Sequence, residues 1–99
     1  MHILFVCNQG KHRSRTAAEL FGGSYKGIYE NLVTKEDMQR ADLVVVMEEH
    51  QRKALAEMFP SLYLQKRIIS FEIPDIYSYN QPVLVDLLKE KQRELMTTV

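Results

Sequence analysis

The sequence predicts an α/β fold, a three-layer, doubly wound arrangement in which a four-stranded parallel sheet is flanked by helices, as one domain over residues 1–99. Three observations carry that prediction. Short apolar stretches within residues 3–6, 42–47 and 67–71 are strands that need cover on both faces. Segments of helical periodicity alternate with them, as βαβ crossovers require. A length of 99 residues, 45% hydrophobic and 26% charged, builds a single core with little to spare.

Residues 3–6 (ILFV) form the first buried strand. Residues 14–21 form a helix whose Ala17, Leu20 and Phe21 make an inward stripe, and Gly22 and Gly23 end it. Residues 25–29 (YKGIY) read as a strand weakened by Gly27. Thr34 opens a short helix ending near Ala41, because T-K-E-D is close to a capping box with Asp37 where Glu is commoner. Residues 42–47 (DLVVVM) are the clearest strand in the chain. Residues 48–59 are helical, with Ala54, Leu55, Met58 and Phe59 inward and two acids at the N-terminus, and Pro60 ends the segment. A strand at 67–71 and a loop at 72–80 (EIPDIYSYN) follow. Pro82 then opens a last helix with Val83, Leu84, Leu87, Leu88 and Leu95 on one face.

Thirteen basic and thirteen acidic residues cancel, which speaks against an electrostatic nucleic-acid binder. Positive charge near Cys7 therefore belongs to a site and not to the whole surface. A single cysteine excludes an internal disulfide. Residues 3–6 are too short for a signal-peptide core, and no run approaches the ~20 residues of a membrane span. A cytoplasmic protein without membrane or nucleic-acid partners is the expectation. His2, His12 and His50 share no metal-ligand spacing, so neither a metal nor a cofactor is expected.

The chemistry concentrates in Cys7-Asn8-Gln9-Gly10-Lys11-His12-Arg13-Ser14. A loop from a strand into a helix aims backbone N–H groups at one point, where the helix dipole adds positive charge and an anion binds. Gly10 permits the positive φ of a tight ring, while Lys11 and His12 contribute mainly backbone N–H groups. The planar fork of Arg13 holds two phosphate oxygens. The same groups, with the Ser14 hydroxyl, favour the thiolate of Cys7, a nucleophile placed beneath the captured phosphorus. In a doubly wound sheet, ligands bind beyond the carboxyl ends of the strands. Cys7 ends the first strand and Asp75 follows the last, so topology puts them on one face. Asp75, beside Pro74 and among Ile73, Ile76 and Tyr77, sits where a leaving oxygen needs a proton donor. Glu72 and Glu48 compete for that role from neighbouring strand ends. Tyr77 and Tyr79 offer an aromatic wall for a substrate ring.

The segment Cys7–Ser14 resembles the phosphate-binding loop of the low-molecular-weight protein tyrosine phosphatases. The likeness extends to ADLVVVMEEHQRKAL and to IPDIYSYNQPVLVDLL, closest to a compact prokaryotic branch described as predicted protein tyrosine phosphatases. It covers nearly the whole chain, although residues 22–32 are shorter than in longer members. With the resemblance come a strand order of 2-1-3-4 and a metal-independent phosphatase working through a phosphocysteine. Cys7 would be the nucleophile, Arg13 the transition-state clamp, Ser14 the stabiliser of the thiolate, Asp75 the general acid and Tyr77 a pocket tyrosine. The loop residues Asn8, Gln9, Gly10, Lys11 and His12 would bind the phosphate, a phosphorylated protein or small phosphomonoester would be the substrate, and inorganic phosphate the product.

Three departures stand out. His12 replaces a second cysteine, Gly10 replaces an asparagine, and Pro74 precedes the acid instead of following it. Alternatives on the same loop are a thiol-dependent arsenate reductase, a phosphocysteine carrier of a sugar phosphotransferase system, and a non-catalytic phospho-ligand binder. The reductase needs further thiols, the carrier needs neither Arg13 nor Asp75, and the binder needs no catalytic groups.

Overall fold

Runs of β-branched residues demand cover on both faces, and the computed structural model, which describes residues 1–97, supplies it. The elements are β1 (Ile3–Cys7), α1 (Arg13–Phe21), β2 (Ser24–Gly27), α2 (Lys35–Arg40), β3 (Leu43–Val46), α3 (Glu49–Met58), α4 (Pro60–Gln65), β4 (Arg67–Ser70) and α5 (Pro82–Thr97). The four strands are parallel in the order β2-β1-β3-β4, as expected. Alternate residues of the central strands go to opposite layers. Phe5, Cys7 and Val45 join Ala17, Ala18, Leu84 and Leu88 of α1 and α5 on one side. Leu4, Val6, Val44 and Val46 join Met38 and Leu55 of α2 and α3 on the other. Full burial of a leucine such as Leu84 or Leu88 contributes about 2 kcal/mol. No helix among the described residues is long and apolar enough to cross a membrane.

Several faces differ from expectation for identifiable reasons. On α1 the buried residues are Arg13, Ser14, Thr16, Ala17 and Ala18, while Leu20 is exposed. Placing Arg13 and Ser14 inside rotates the helix, so Ala18 takes the place expected of Leu20. On α3, Leu55 and Gln51 are buried and Met58 is exposed. Pro60 ends α3 as expected but also opens α4 at its first position, where its missing N–H costs nothing. On α5, Val83 faces solvent. Thr34 caps α2 through the anticipated box, with Asp37 N–H donating to Thr34 Oγ1 at 3.1 Å and Thr34 N–H to Asp37 Oδ2 at 2.8 Å.

Gly27 explains itself by proximity. A Cβ there would lie 2.3 Å from the Glu30 carbonyl oxygen and 2.5 Å from the Gln9 carbonyl carbon. Just beyond it, the N–H groups of Ile28 and Tyr29 donate to the Asn8 carbonyl at 2.9 and 2.8 Å. The end of β2 thus supports the loop that follows β1 from beneath. Gly27→Ala is expected to cost about 2 kcal/mol or more of stability, because backbone and not a flexible side chain must yield. A thermal melt checks this, and a Tm equal to that of the unsubstituted protein would contradict it.

Candidate active site

β1 is buried from Leu4 to Cys7, which is 3% exposed, and the chain then turns through residues 8–12 into α1. Gly10 sits at φ 66°, and its N–H donates to Cys7 Sγ at 3.2 Å. A Cβ at Gly10 would fall 2.7 Å from the Lys26 carbonyl carbon and 2.8 Å from the Gly27 nitrogen, so glycine is required by space as well as by φ. Ser14 Oγ is in hydrogen-bond contact with Cys7 Sγ at 3.1 Å. The thiol is therefore met by an amide and a hydroxyl, as the sequence pattern anticipates.

Arg13 is 1% exposed, and a buried cation must be paired. Its Nη1 donates to Glu48 Oε1 at 2.5 Å and to the Ile73 carbonyl at 2.6 Å. Nη2 is buried with no hydrogen-bond partner among the described residues and lies 3.6 Å from Asp75 Oδ1. Cys7, Asn8, Gln9, Lys11, His12, Arg13 and Asp75 line one small cavity. That set combines a thiol, an orphan guanidinium donor and a carboxyl group around space bounded by the loop between β1 and α1. Such a donor set suits a phosphate-like anion.

Asp75 is brought there by its loop. Phe71 N–H donates to the Val46 carbonyl and Ile73 N–H to the Met47 carbonyl, at 2.9 and 2.8 Å, which extends the β3–β4 pairing past its last strand residue. Asn8 Nδ2 donates to Asp75 Oδ2 at 3.1 Å. Farther along, Tyr79 N–H donates to His12 Nδ1 at 3.2 Å and Asn80 N–H to Thr16 Oγ1 at 2.9 Å. The Tyr79 hydroxyl donates to Glu19, and the Arg15 guanidinium lies 4.2 Å from the Tyr79 ring centre. The loop carrying the acid is thereby fastened to α1.

Other residues have roles that the sequence did not reveal. Glu48, a rival for the acid role, is engaged with Arg13. Glu72, exposed at φ 53°, instead lines a cleft with Glu48, Glu49 and Pro74. Lys11 pairs with Glu30 at 2.5 Å on the surface. His12 uses its ring as well as its position in the loop. Tyr77 packs against the core cluster that contains Cys7 and is not among the residues lining the cavity. Gln51 and His50 reach Asn8 Oδ1 through their Nε2 atoms at 3.0 and 2.6 Å, across more than forty positions of sequence. Their only sequence signal is indirect: both follow the carboxyl end of β3, on the face that Cys7 and Asp75 share.

No protein-family model and no curated protein matches the chain. Solved structures do. The tyrosine phosphatase Wzb from Escherichia coli K30, in complex with phosphate, superposes with a TM-score of 0.74 at 17% identity, over 99% of this chain and 97% of that one. A low-molecular-weight protein tyrosine phosphatase from T. tengcongensis gives 0.70 at 17% identity, over 100% and 99%. A mutant YwlE arginine phosphatase with a phosphorylated active-site serine gives 0.72 at 18% identity, over 97% and 96%. The chain therefore has the fold of the low-molecular-weight protein tyrosine phosphatases.

Glu48→Gln leaves the buried guanidinium with a neutral partner. The expected cost is about 2 kcal/mol, less than the ~3–5 of a sealed pair because Glu48 keeps 30% exposure. Denaturant unfolding measures it, and no loss of stability would remove Glu48 from this role. A second expectation concerns acid. The Tyr79 hydroxyl, and after it Arg15, hold the Glu19 carboxyl below the ordinary carboxylate range. A depressed folded-state value stabilises above the unfolded value and ceases to do so as pH falls through the folded one. The Tm advantage of the unsubstituted protein over Tyr79→Phe is therefore expected to shrink as pH falls from neutral through that range. An advantage that stays constant would contradict the pairing.

Proposed function

We propose that the protein is a cysteine-dependent phosphomonoesterase of the protein-tyrosine-phosphatase type, hydrolysing phosphotyrosine or small aryl phosphates through a phosphocysteine. The observation that carries this reading is the meeting, around one cavity, of Cys7, Arg13 and Asp75, with Arg13 Nη2 lacking a hydrogen-bond partner among the described residues and lying 3.6 Å from Asp75 Oδ1. A phosphate monoester bound by the loop N–H groups and Arg13 presents phosphorus to the thiolate. The S–P bond forms as the P–O bond to the leaving group breaks, and Asp75 gives its proton to the departing oxygen. Arg13 and the loop amides neutralise charge on the equatorial oxygens. Water then attacks phosphorus and returns a proton to Asp75, and the thiolate leaves, with Ser14 as its hydrogen-bond partner. Nucleophile, clamp and acid are all side chains of this chain, so the scheme calls for neither metal nor cofactor.

The fold shared with tyrosine and arginine phosphatases supports this reading and makes phosphoarginine the first substrate to compare with phosphotyrosine. A phosphocysteine carrier needs no proton donor poised beside Arg13. An arsenate reductase would have to borrow external thiols, since Cys7 is the only cysteine. A nucleophile that works reduced suits the cytoplasm.

Turnover of p-nitrophenyl phosphate in EDTA, blocked by vanadate, is the expected result, and its absence from protein with intact Cys7 would sink the enzyme reading. Cys7→Ser is expected to abolish turnover while phosphate binding survives, and retained turnover would remove Cys7 as nucleophile. Asp75→Asn is expected to slow phosphotyrosine about 100-fold or more and p-nitrophenyl phosphate about tenfold or less, because the better leaving group departs with little protonation. Equal losses would assign the proton to another group, with Glu72 next in line.

A further inference from the structure

Asn8 directly follows the nucleophile, yet its side chain turns toward the acid. Its orientation can be read from the backbone outward. Gln51 is fully buried, and its Oε1 accepts from the N–H groups of Met47 and Glu48 at 2.7 and 2.9 Å. Backbone amides only donate, so that end of Gln51 is the carbonyl and the other end is the NH2 group. The NH2 group donates to Asn8 at 3.0 Å, which makes the receiving atom of Asn8 its carbonyl oxygen. His50 Nε2 contacts the same oxygen at 2.6 Å and must therefore carry a hydrogen. With its oxygen so occupied, Asn8 can offer Asp75 only its NH2 group, and does so to Oδ2 at 3.1 Å.

From this geometry we infer that Asn8, oriented by Gln51 and His50, is a positioning residue that decides which oxygen of Asp75 carries the transferable proton. Oδ2 accepts from Asn8, so in the protonated acid the hydrogen sits on Oδ1. That is the oxygen 3.6 Å from Arg13 Nη2, the donor proposed above to clamp the phosphate. In the first step Oδ1 gives its proton to the leaving oxygen as the P–O bond breaks and the S–P bond forms. Asp75 remains as a carboxylate, still held at Oδ2. In the second step the proton from the attacking water returns to Oδ1 as the S–P bond breaks. The inference rests on the phosphatase reading and adds a dependence on two residues that touch no reacting atom.

Two substrates that differ in the need for a proton supply the test: phenyl phosphate and p-nitrophenyl phosphate, each assayed with Asn8→Ala in otherwise unsubstituted protein and in Asp75→Asn protein. The expected result is that Asn8→Ala lowers kcat about tenfold on phenyl phosphate and about twofold or less on p-nitrophenyl phosphate. In the Asp75→Asn background the same substitution is expected to leave the ratio of the two rates unchanged within about twofold, since a residue acting through Asp75 has nothing left to act on. His50→Ala, at an exposed helix position, provides a milder variant if Asn8→Ala folds poorly. It is expected to show a smaller loss with the same preference for phenyl phosphate, and His50→Gln, which keeps an Nε2 donor, to recover most of it. Equal losses on the two substrates, or an undiminished effect of Asn8→Ala in Asp75→Asn protein, would overturn the assignment while leaving the phosphatase reading intact. Unsubstituted protein inactive on both esters would overturn both.

Discussion

Arg13 is a guanidinium sealed inside the protein, and a charge taken out of water must find partners or destabilise the fold. Its partners come from distant parts of the chain. Glu48 arrives from the junction of β3 and α3, and the Ile73 carbonyl from the segment after β4. One side chain at the start of α1 thereby ties together the carboxyl ends of three strands. The rotation of α1 follows from it: Arg13 and Ser14 occupy the inward face, small Ala17 and Ala18 continue it, and Leu20 is left outside. With Nη1 committed to the protein, Nη2 is the donor left for whatever enters the cavity.

The loops around this anchor are fixed by contacts that leave little freedom. Gly10 and Gly27 let the Cys7 loop and the end of β2 approach until no Cβ fits between them. Ile73 is held at both backbone groups, its N–H on Met47 and its carbonyl on Arg13. That fixes the backbone immediately before Pro74 and Asp75. Tyr79 and Asn80 fasten the far end of the same loop to α1, with His12 supplying the acceptor where that family has a cysteine. Asp75 and the loop after Cys7 are thus parts of one hydrogen-bonded assembly.

How much of this was legible in the sequence depended on how local each cause is. Strands at 3–6 and 42–47 announced themselves because burial on both faces requires unbroken apolar runs. Cys7, Arg13 and Ser14 are legible as a cluster because they share one turn between strand and helix. Asp75 could be reached because sheet topology brings strand ends together. Helix α4 is hidden in the sequence because Pro60 reads as the end of one helix, while proline also starts helices well. Leu20, Met58 and Val83 were placed inward by periodicity, but periodicity ignores polar residues such as Arg13 and Gln51 that take interior positions. Glu48 as the partner of Arg13, and His50 behind Asn8, depend on contacts between segments far apart in sequence, and no local pattern encodes them.

The proposed reaction passes through a covalent bond between Cys7 and phosphorus. Intact-protein and peptide mass measurement, after acid quench during turnover of p-nitrophenyl phosphate in EDTA, tests that bond directly. One added phosphoryl group is expected, located on Cys7 and absent when vanadate is present. Sustained turnover with an unmodified Cys7, or with the phosphoryl group on His12 or His50, would contradict it.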